Sequence, residues 1–310
     1  MSARLTDRLP SMSDTFSFQV LRRFPDLEAD NLVAVDATDR LVLSEAAAAI
    51  EATAPAGVVV VGDRYGAMTL GAIALHRARD VRVHQDPITG EQALARNAIR
   101  VRLANGFRPL PLTSELFSGA TVVIGQLPKS LDALREITQL AAAHAGADVT
   151  VILGGRVKHM THAMNGVLGD SFTDVQASLA HQKSRVLIAS GPRPAVGAGP
   201  GPYPLRQLHL DLGLWVCAHG AAFAGTKIDI GTRFLLEFLD RMQPAAGDGR
   251  GPRLWHGRHR HSTGQGPPTA EHAGNRRVGG GRVVDVGHGG SQRVGRARPG
   301  PSRRRDVNPG

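Results

Sequence analysis

Large apolar residues almost disappear from the chain after residue 247, and this change confines any hydrophobic core to the residues before it. Residues 248–310 contain fifteen Gly, six Pro and thirteen Arg, but one Leu, one Trp and no Ile, Met, Phe, Tyr or Lys. So few large apolar side chains cannot offset the conformational entropy that folding costs. We therefore expect residues 248–310 to form a disordered tail and the folded part of the chain to lie before them.

The tail also carries almost all of the net charge. Thirteen Arg against four acidic residues give it +9 of the +10 that the whole chain carries. A basic folded domain would favour a nucleic-acid partner, because Lys and Arg release counterions from phosphate. Here the excess comes from the tail alone, so the net charge does not identify a partner.

The sequence lacks several features, and their absence excludes some classes of protein. The single cysteine, Cys217, excludes an internal disulfide and a thiolate metal cluster, and we expect it to be a small core side chain. The sequence has neither a signal-peptide core nor an apolar run long enough to span a membrane. We expect a cytoplasmic, monomeric protein with no membrane segment and no metal site.

Residues 31–190 alternate between predicted strands and helices. Val58–Val61, four valines bounded by glycine, predict a buried parallel strand, and a helix is expected from Met68 to His76. A second strand ends at Asp86, and further strands are predicted at ATVVIGQ, DVTVILGGRV and SRVLIAS. This β-α-β order, with an acid after the second strand, is typical of Rossmann-like domains that bind nucleotides or S-adenosylmethionine. We predict an α/β, Rossmann-like N-terminal domain over residues 1–190.

The loop after the first strand, GDRYGAM, departs from a cofactor-binding loop. Gly62 and Gly66 are present, but Arg64 and Tyr65 occupy positions where a ligand needs open access to the backbone. Two interpretations stay open for Gly62, Gly66 and Asp86: cofactor binding, and a purely structural role, which the two bulky side chains favour.

A second domain is predicted to begin after a linker. Residues 191–204 are rich in Gly and Pro, which is typical of a linker. LRQLHLDLGLWVCAHGAAF alternates with period two and predicts a hairpin. Phe234, Leu235 and Phe238, continued by Leu239 and Met242, recur at helical spacing and predict an amphipathic helix that packs on a core. Residues 205–247 would then supply only the hairpin and first helix of an incomplete domain.

One stretch in this region, FAGTKIDIGTRFLL, resembles the lead-in to the catalytic domain of the bacterial rRNA guanine-N2 methyltransferases. LPKS and GGRVKHMTHAM add to the resemblance, which covers roughly residues 30–244. It implies two tandem class I methyltransferase-like domains, of which the first is a non-catalytic copy that helps to recognise RNA. It also implies S-adenosyl-L-methionine as the family's cofactor, and rRNA or a ribosomal subunit as the partner.

The chain departs from this family at both functional loops. Gln126, Leu127 and Pro128 stand where the family's methyltransferase domains carry an Asn-Pro-Pro motif that grips the amine of the base. After the lead-in, a strand and glycine loop of the type VVDLGCGxGV should follow, and they do not. The resemblance therefore implies an inactive methyltransferase relative that has no catalytic residue and binds no cofactor.

The resemblance also assigns binding roles to six residues. Asp229, Gly231 and Thr232 would border a cofactor if the second domain were whole. Lys158, Lys183 and Arg185 would face RNA, since scattered cations position a nucleic-acid backbone without reading its sequence. A merely solvated surface is the alternative for these three cations. A non-catalytic RNA-binding module, with added affinity from the Arg-rich tail, is the alternative function.

The genetic code offers an explanation for the missing loop. If DGRGPRLWHGRHR is read one nucleotide later, Trp255 followed by His256 must give Gly, and Leu254 can give Cys. Position by position, the stretch is compatible with TVVDLGCGTGVIA, the expected cofactor loop. We therefore hypothesise a frameshift between about Ala245 and Asp248, which would truncate the catalytic domain.

Overall fold

The computed structural model describes residues 16–194 and 202–238, together with the backbone of three short segments further along the chain. The chain divides into two compact units, residues 1–202 and 203–310, and this division falls within the expected linker. In the part of the chain that is described, no helix is long and apolar enough to cross a membrane.

Unit 1 contains a seven-stranded sheet in the order β3-β2-β1-β4-β5-β7-β6. The first five strands are parallel, and β7 runs antiparallel to both β5 and β6. The strands are β1 (Val58–Val61), β2 (Val81–His84), β3 (Phe107–Pro109), β4 (Val122–Gln126), β5 (Thr150–Arg156), β6 (Phe172–Ala177) and β7 (Ser184–Pro192). The predicted α/β, Rossmann-like architecture is confirmed.

Six helices cover this sheet. They are α1 (Ala37–Glu51), α2 (Ala67–His76), α3 (Ile88–Arg100), α4 (Ser114–Phe117), α5 (Leu131–His144) and α6 (His162–Ser171). The buried valines of β1 show that both faces are covered. Val58 and Val60 belong to one apolar cluster, whereas Val59 and Val61 belong to the other. A strand buried on both faces has no polar alternation, which explains the unbroken run of valines.

Two local features shape the carboxyl edge of the sheet. Helix α1 begins at a capping box, in which the Asp36 carboxylate accepts from the Thr38 and Asp39 N–H groups and Asp39 accepts from the Asp36 N–H. This arrangement satisfies N–H groups of the first helical turn and holds the Asp39 carboxylate at a buried position. Gly125 faces Val61 in the neighbouring strand, and its lack of a side chain lets β1 and β4 approach closely.

Unit 2 begins with the predicted hairpin. Strands β8 (Leu205–His209) and β9 (Leu214–Ala218) pair antiparallel, as expected. Leu214, Val216 and Ala218 form a small buried cluster. Cys217 is buried, which confirms its expected place in the interior.

Three short strands fall within the stretch that was expected to be a disordered tail. They are β10 (Gly249–Arg250), β11 (Arg282–Val286) and β12 (Gln292–Gly295); β11 pairs parallel with β9, and β12 pairs antiparallel with β10 and β11. The paired backbone of these segments differs from the expected disorder. The rest of 248–310, including most of DGRGPRLWHGRHR, lies outside the described residues, so the expectation for it stays a prediction.

The predicted amphipathic helix is present but does not pack on a core as expected. Helix α7 (Ile230–Leu236) has no buried residue; Ile230 is 90% exposed and Phe234 is 58% exposed. Of its apolar residues, Leu236 packs partly against the small cluster of unit 2. That cluster consists of only three buried side chains in the described residues, which is too few to cover a helix. Leu239 and Met242 lie outside the described residues.

Candidate cofactor cleft and nucleic-acid interface

The carboxyl ends of β1 and β4 form the candidate site of unit 1. The strand order reverses between these two strands, and open α/β sheets bind ligands in the crevice at such a point. A cavity of about 200 Å³ lies there, lined by Arg23, Asn31, Leu32, Val33, Ala34, Asp36, Asp39, Asp63, Arg64, Tyr65 and Gln126. Most of its walls are therefore polar, and five of its lining residues come from residues 31–36, directly before α1.

A carboxylate of the protein occupies the N-terminus of α2. Asp63, in the loop after β1, is 1% exposed. Its Oδ1 accepts from the Gly66 N–H at 3.2 Å and its Oδ2 accepts from the Thr69 N–H at 2.7 Å. Burial raises the pKa of Asp63, and these backbone hydrogen bonds oppose that shift. In nucleotide-binding folds the same N–H groups face an anionic ligand, so here the protein itself fills the anion position.

Tyr65 fills the space beside this loop. Its buried side chain donates a hydrogen bond from Oη to Asp26 Oδ2 at 2.5 Å, and the Arg23 guanidinium lies 5.0 Å from the ring centroid. Burial, followed by the bond to Asp26, raises the pKa of Tyr65 to about 12, while the same bond lowers the pKa of Asp26. Asn97 adds a second tie, since its amide donates to the carbonyl oxygens of Arg22 and Tyr65.

These ties hold residues 16–35, which we call the strap, across the carboxyl edge of the sheet. Besides donating through its amide, Asn97 accepts a hydrogen bond from the Arg22 N–H at 2.9 Å. Residues 31–34 of the strap form one wall of the cavity. Part of the strap therefore lies in the crevice where folds of this kind bind a ligand.

The loop after β4 is also committed to internal contacts. The Gln126 side-chain amide donates to Asp39 Oδ1 at 2.7 Å, and the Leu127 N–H donates to the Gly154 carbonyl at 2.7 Å. The Leu127 side chain lies against Gly155, at contact distance from where a Cβ would stand. An amide that is bonded to a buried carboxylate is not available to grip a nucleobase.

The residues of this cleft do not fit S-adenosyl-L-methionine. The helix N-terminus is taken by Asp63, the neighbouring space by Tyr65, and one wall of the cavity by the strap. Gly62 and Gly66 adopt φ angles of 69° and 90°, which glycine reaches without strain. The geometry thus supports the structural interpretation of this loop, and Asp86 lies beside His84, with 3.5 Å between Asp86 Oδ1 and His84 Nε2.

The three predicted RNA-facing cations lie near one another at another part of the sheet's carboxyl edge, where β5 ends and β7 begins. Lys158 follows the carboxyl end of β5, Lys183 precedes β7, and Arg185 pairs with Gly155 in the sheet. The Val157 N–H donates to the Lys183 carbonyl at 3.0 Å, which fixes the two segments together. Lys158 and Lys183 are exposed, and the buried Arg185 Nε has no hydrogen-bond partner within the described chain. We call Lys158, Lys183 and Arg185 the basic edge.

The predicted cofactor-border residues of unit 2 also lie together, as a helix cap. The Asp229 carboxylate accepts from the Gly231 N–H at 3.0 Å and the Thr232 N–H at 3.2 Å. The Thr232 hydroxyl donates to its other oxygen at 2.6 Å. These bonds satisfy the first turn of α7, so the structure gives all three residues a capping role.

Sequence reasoning missed Asp39, Asp63 and Asn97. Asp39 is 4% exposed, and burial first, then the charges of Asp63 and Asp36, raise its pKa to about 7. The spacing of Asp36 and Asp39 is that of a capping box, a signal that could have revealed the buried position of Asp39. Asp63 lies within the glycine loop itself, but its bond to Thr69 depends on how that loop turns.

The strand order, together with an antiparallel β7 inserted between β5 and β6, defines unit 1 as a Rossmann-like, class I methyltransferase-like fold. Solved structures similar to this chain include a precorrin-6y C5,15-methyltransferase from Geobacter metallireducens, 11% identical with a TM-score of 0.42, covering 53% of this chain and 91% of that one. Another is the ribosomal protein L11 methylase from Lactobacillus delbrueckii, 16% identical with a TM-score of 0.39, covering 50% of this chain and 77% of that one.

The family model described as the RLMG N-terminal domain matches residues 10–193, and this chain belongs to that family. Among curated relatives, the ribosomal RNA large subunit methyltransferase G of Pseudomonas syringae pv. tomato is 31% identical over 239 residues, 77% of this chain and 62% of that protein. The protein of the same name in Streptomyces coelicolor is 34% identical over 240 residues, 74% of this chain and 60% of that protein. The chain thus spans about three fifths of the length of these relatives.

Proposed function

We propose that this chain is a member of the S-adenosylmethionine-dependent rRNA guanine-N2 methyltransferases that, in its present form, does not transfer methyl groups. The observation that carries the proposal is in unit 2, where no glycine loop follows the lead-in in the frame as written. Unit 1 supplies no substitute, because Asp63, Tyr65 and Gln126 there make internal bonds in place of contacts to a cofactor and a base. Methyl transfer depends largely on positioning its two reactants, so a chain that offers neither site should not catalyse it.

Unit 2 would have to supply the active site, and its sequence supports a frameshift. The family's lead-in is present up to α7, but no glycine loop follows in the frame as written. In a whole domain, we infer that Asp229, Gly231 and Thr232 would border the cofactor, with α7 held by the same cap. Sequencing the DNA across codons 245–248 tests this directly, because a frameshift requires an open reading frame, one nucleotide on, that encodes the loop.

A methyl-incorporation assay tests the proposed inactivity. We expect the purified 310-residue chain, mixed with unmodified large-subunit rRNA and radiolabelled S-adenosylmethionine, to give no more label than a reaction without protein. An active relative of the same family, run in parallel, shows that the rRNA is a competent substrate. Enzyme-dependent incorporation by the 310-residue chain would refute the proposal.

A second candidate function, RNA binding without chemistry, is favoured by the basic edge. Its two lysines are exposed and its three cations lie on adjoining segments, at β5 and β7. Among the described residues, none of the three forms an ion pair with a carboxylate. Cations without such partners can bind phosphate without first breaking a salt bridge.

The triple substitution of the basic edge, Lys158→Gln, Lys183→Gln and Arg185→Gln, should weaken rRNA binding by about tenfold or more. Each lost phosphate contact should also reduce the slope of log affinity against log salt by about 0.7 to 0.9. Titrations of a labelled rRNA fragment at several salt concentrations measure both quantities.

The matched control replaces three exposed arginines near the amino ends of the strands: Arg77, Arg79 and Arg102, each to Gln. It removes the same charge, and we expect it to leave the affinity nearly unchanged. Deleting residues 248–310 tests the tail separately, since a steep fall in affinity would place the binding there. Equal losses in the two triple variants would show that the basic edge is not a specific surface.

A further inference from the structure

Two buried carboxylates lie on the walls of the cavity in unit 1. Asp39 comes from the first turn of α1 and Asp63 from the loop after β1. Neither forms an ion pair within the described residues. Both are almost completely removed from water, so their charges are poorly solvated and repel each other.

The other charged groups around this pair do not neutralise it. Asp36, on the same cavity, adds a third negative charge and has Arg156 Nε 3.7 Å from its Oδ2. Arg64 lines the cavity from the loop after β1, and Arg23 lines it from the strap, where it bonds to Asp26 and the Leu27 carbonyl.

Neutral donors make the hydrogen bonds to the two carboxylates. The Asp39 oxygens accept from the Asp36 N–H at 2.8 Å and from the Gln126 amide. Asp63 accepts from the N–H groups at the start of α2. Neutral donors offset the loss of solvation only in part, so the pair is most stable when one of its two carboxylates is protonated.

Part of the strap lines the same cavity as this pair. Its residues 31–34 share the cavity wall with Asp36, Asp39 and Asp63. Tyr65, whose hydroxyl ties the strap through Asp26, lies on the same wall. A change in the charge of the pair therefore acts on the same cavity that residues 31–34 of the strap line.

We propose that the Asp39–Asp63 pair is a proton-dependent latch, which holds one proton while the strap is closed and loosens the strap when that proton is lost. The pKa of Asp39, raised to about 7 by burial and by the charges of Asp63 and Asp36, supports this. Because the folded pKa lies above the unfolded value, the stabilising effect is complete below about pH 4 and is lost as the pH rises through about 7.

The substitution Asp39→Asn tests the latch, because Asn is a neutral mimic of the protonated acid. Its carbonyl oxygen can accept from the Asp36 N–H, and its NH2 can donate to Gln126 Oε1 once the Gln126 amide turns over. At pH 8 we expect the variant to unfold at a higher temperature than the unmodified chain, and the difference to vanish near pH 4. Tryptic cleavage after Arg22 or Arg23 at pH 8, followed by mass spectrometry, should be about tenfold slower in the variant. At pH 8, about one unit above the pKa of Asp39, the deprotonated form of the unmodified chain outweighs the protonated form about tenfold.

Two further variants make the test decisive. Asp174→Asn, an exposed site on β6, should change neither the unfolding profile nor the cleavage. Asp63→Asn keeps an acceptor for α2 but removes a charge that raises the pKa of Asp39. In this variant the stability should therefore be lost at a lower pH than in the unmodified chain. The latch is overturned if Asp39→Asn is less stable than the unmodified chain at pH 8. It is also overturned if the pH profile is the same in the unmodified chain and in Asp63→Asn, a test that does not require Asp39→Asn to fold.

Discussion

Removing one nucleotide just before codon 248 should convert this chain from an inactive protein into an rRNA methyltransferase. One nucleotide on, DGRGPRLWHGRHR is compatible with a strand and glycine loop of the form TVVDLGCGTGVIA, which would follow the lead-in and α7. Such a loop gives the cofactor a backbone cradle, and positioning of the two reactants then supplies much of the rate. Methyl incorporation into large-subunit rRNA should rise from background by about 10⁶-fold or more, the usual scale of enzymatic acceleration.

The control for this experiment removes two nucleotides at the same place. It disturbs the gene to a similar extent but opens the third frame, which does not encode the loop, so its product should stay at background. If the one-nucleotide product is soluble and folded but also stays at background, the frameshift hypothesis fails. The proposed inactivity of the 310-residue chain would be unaffected by that result.

Gly125→Ala should be among the most damaging single substitutions in unit 1. A Cβ at this position would overlap the Val61 carbonyl and lie 2.6 Å from Val61 Cγ2. Both atoms belong to the central strand β1, so the sheet can relieve the overlap only by moving β1 and β4 apart. Overpacking of this kind costs about 1–3 kcal/mol or more, and here we expect about 3 kcal/mol. Chemical denaturation should show a lower midpoint with an unchanged slope.

Gly166→Ala provides the matched control. Gly166 lies within α6, and a Cβ there would meet no atom within 4 Å. Ala is a better helix former than Gly by about 1 kcal/mol, so this variant should be slightly more stable than the unmodified chain. If both Gly→Ala variants shift the midpoint equally, the close approach of β1 and β4 has no energetic importance.

The fold of unit 1 was predictable because its signals are local. Val58–Val61 form an unbroken apolar run bounded by glycine, and helices α3 and α5 show amphipathic periodicity. The basic edge was predictable for a related reason. Once β5 and β7 are neighbours, Lys158 and Lys183 must lie close together, since each is next to a strand end.

The filling of the cleft was not predictable to the same extent. Tyr65 and Asp26 are 39 residues apart in sequence, and Gln126 and Asp39 are 87 apart. No periodicity or spacing links such residues, because their contact depends on how the strap and α1 are placed on the sheet. The sequence shows only that Arg64 and Tyr65 are bulky for a cofactor loop; the structure shows which contacts replace the cofactor.

The prediction for α7 was wrong for a different reason. Its helical spacing correctly indicated a helix with an apolar face. Spacing alone, however, does not supply a surface for that face to pack against, and the described part of unit 2 offers little beyond the hairpin cluster.

Isothermal calorimetry with S-adenosylmethionine tests most directly the central claim that this chain has filled its cofactor cleft with its own side chains. A filled cleft should give no saturable heat when S-adenosylmethionine is titrated into the folded 310-residue chain, at concentrations where an active relative takes up one equivalent. Saturable uptake of one equivalent by this chain would contradict it.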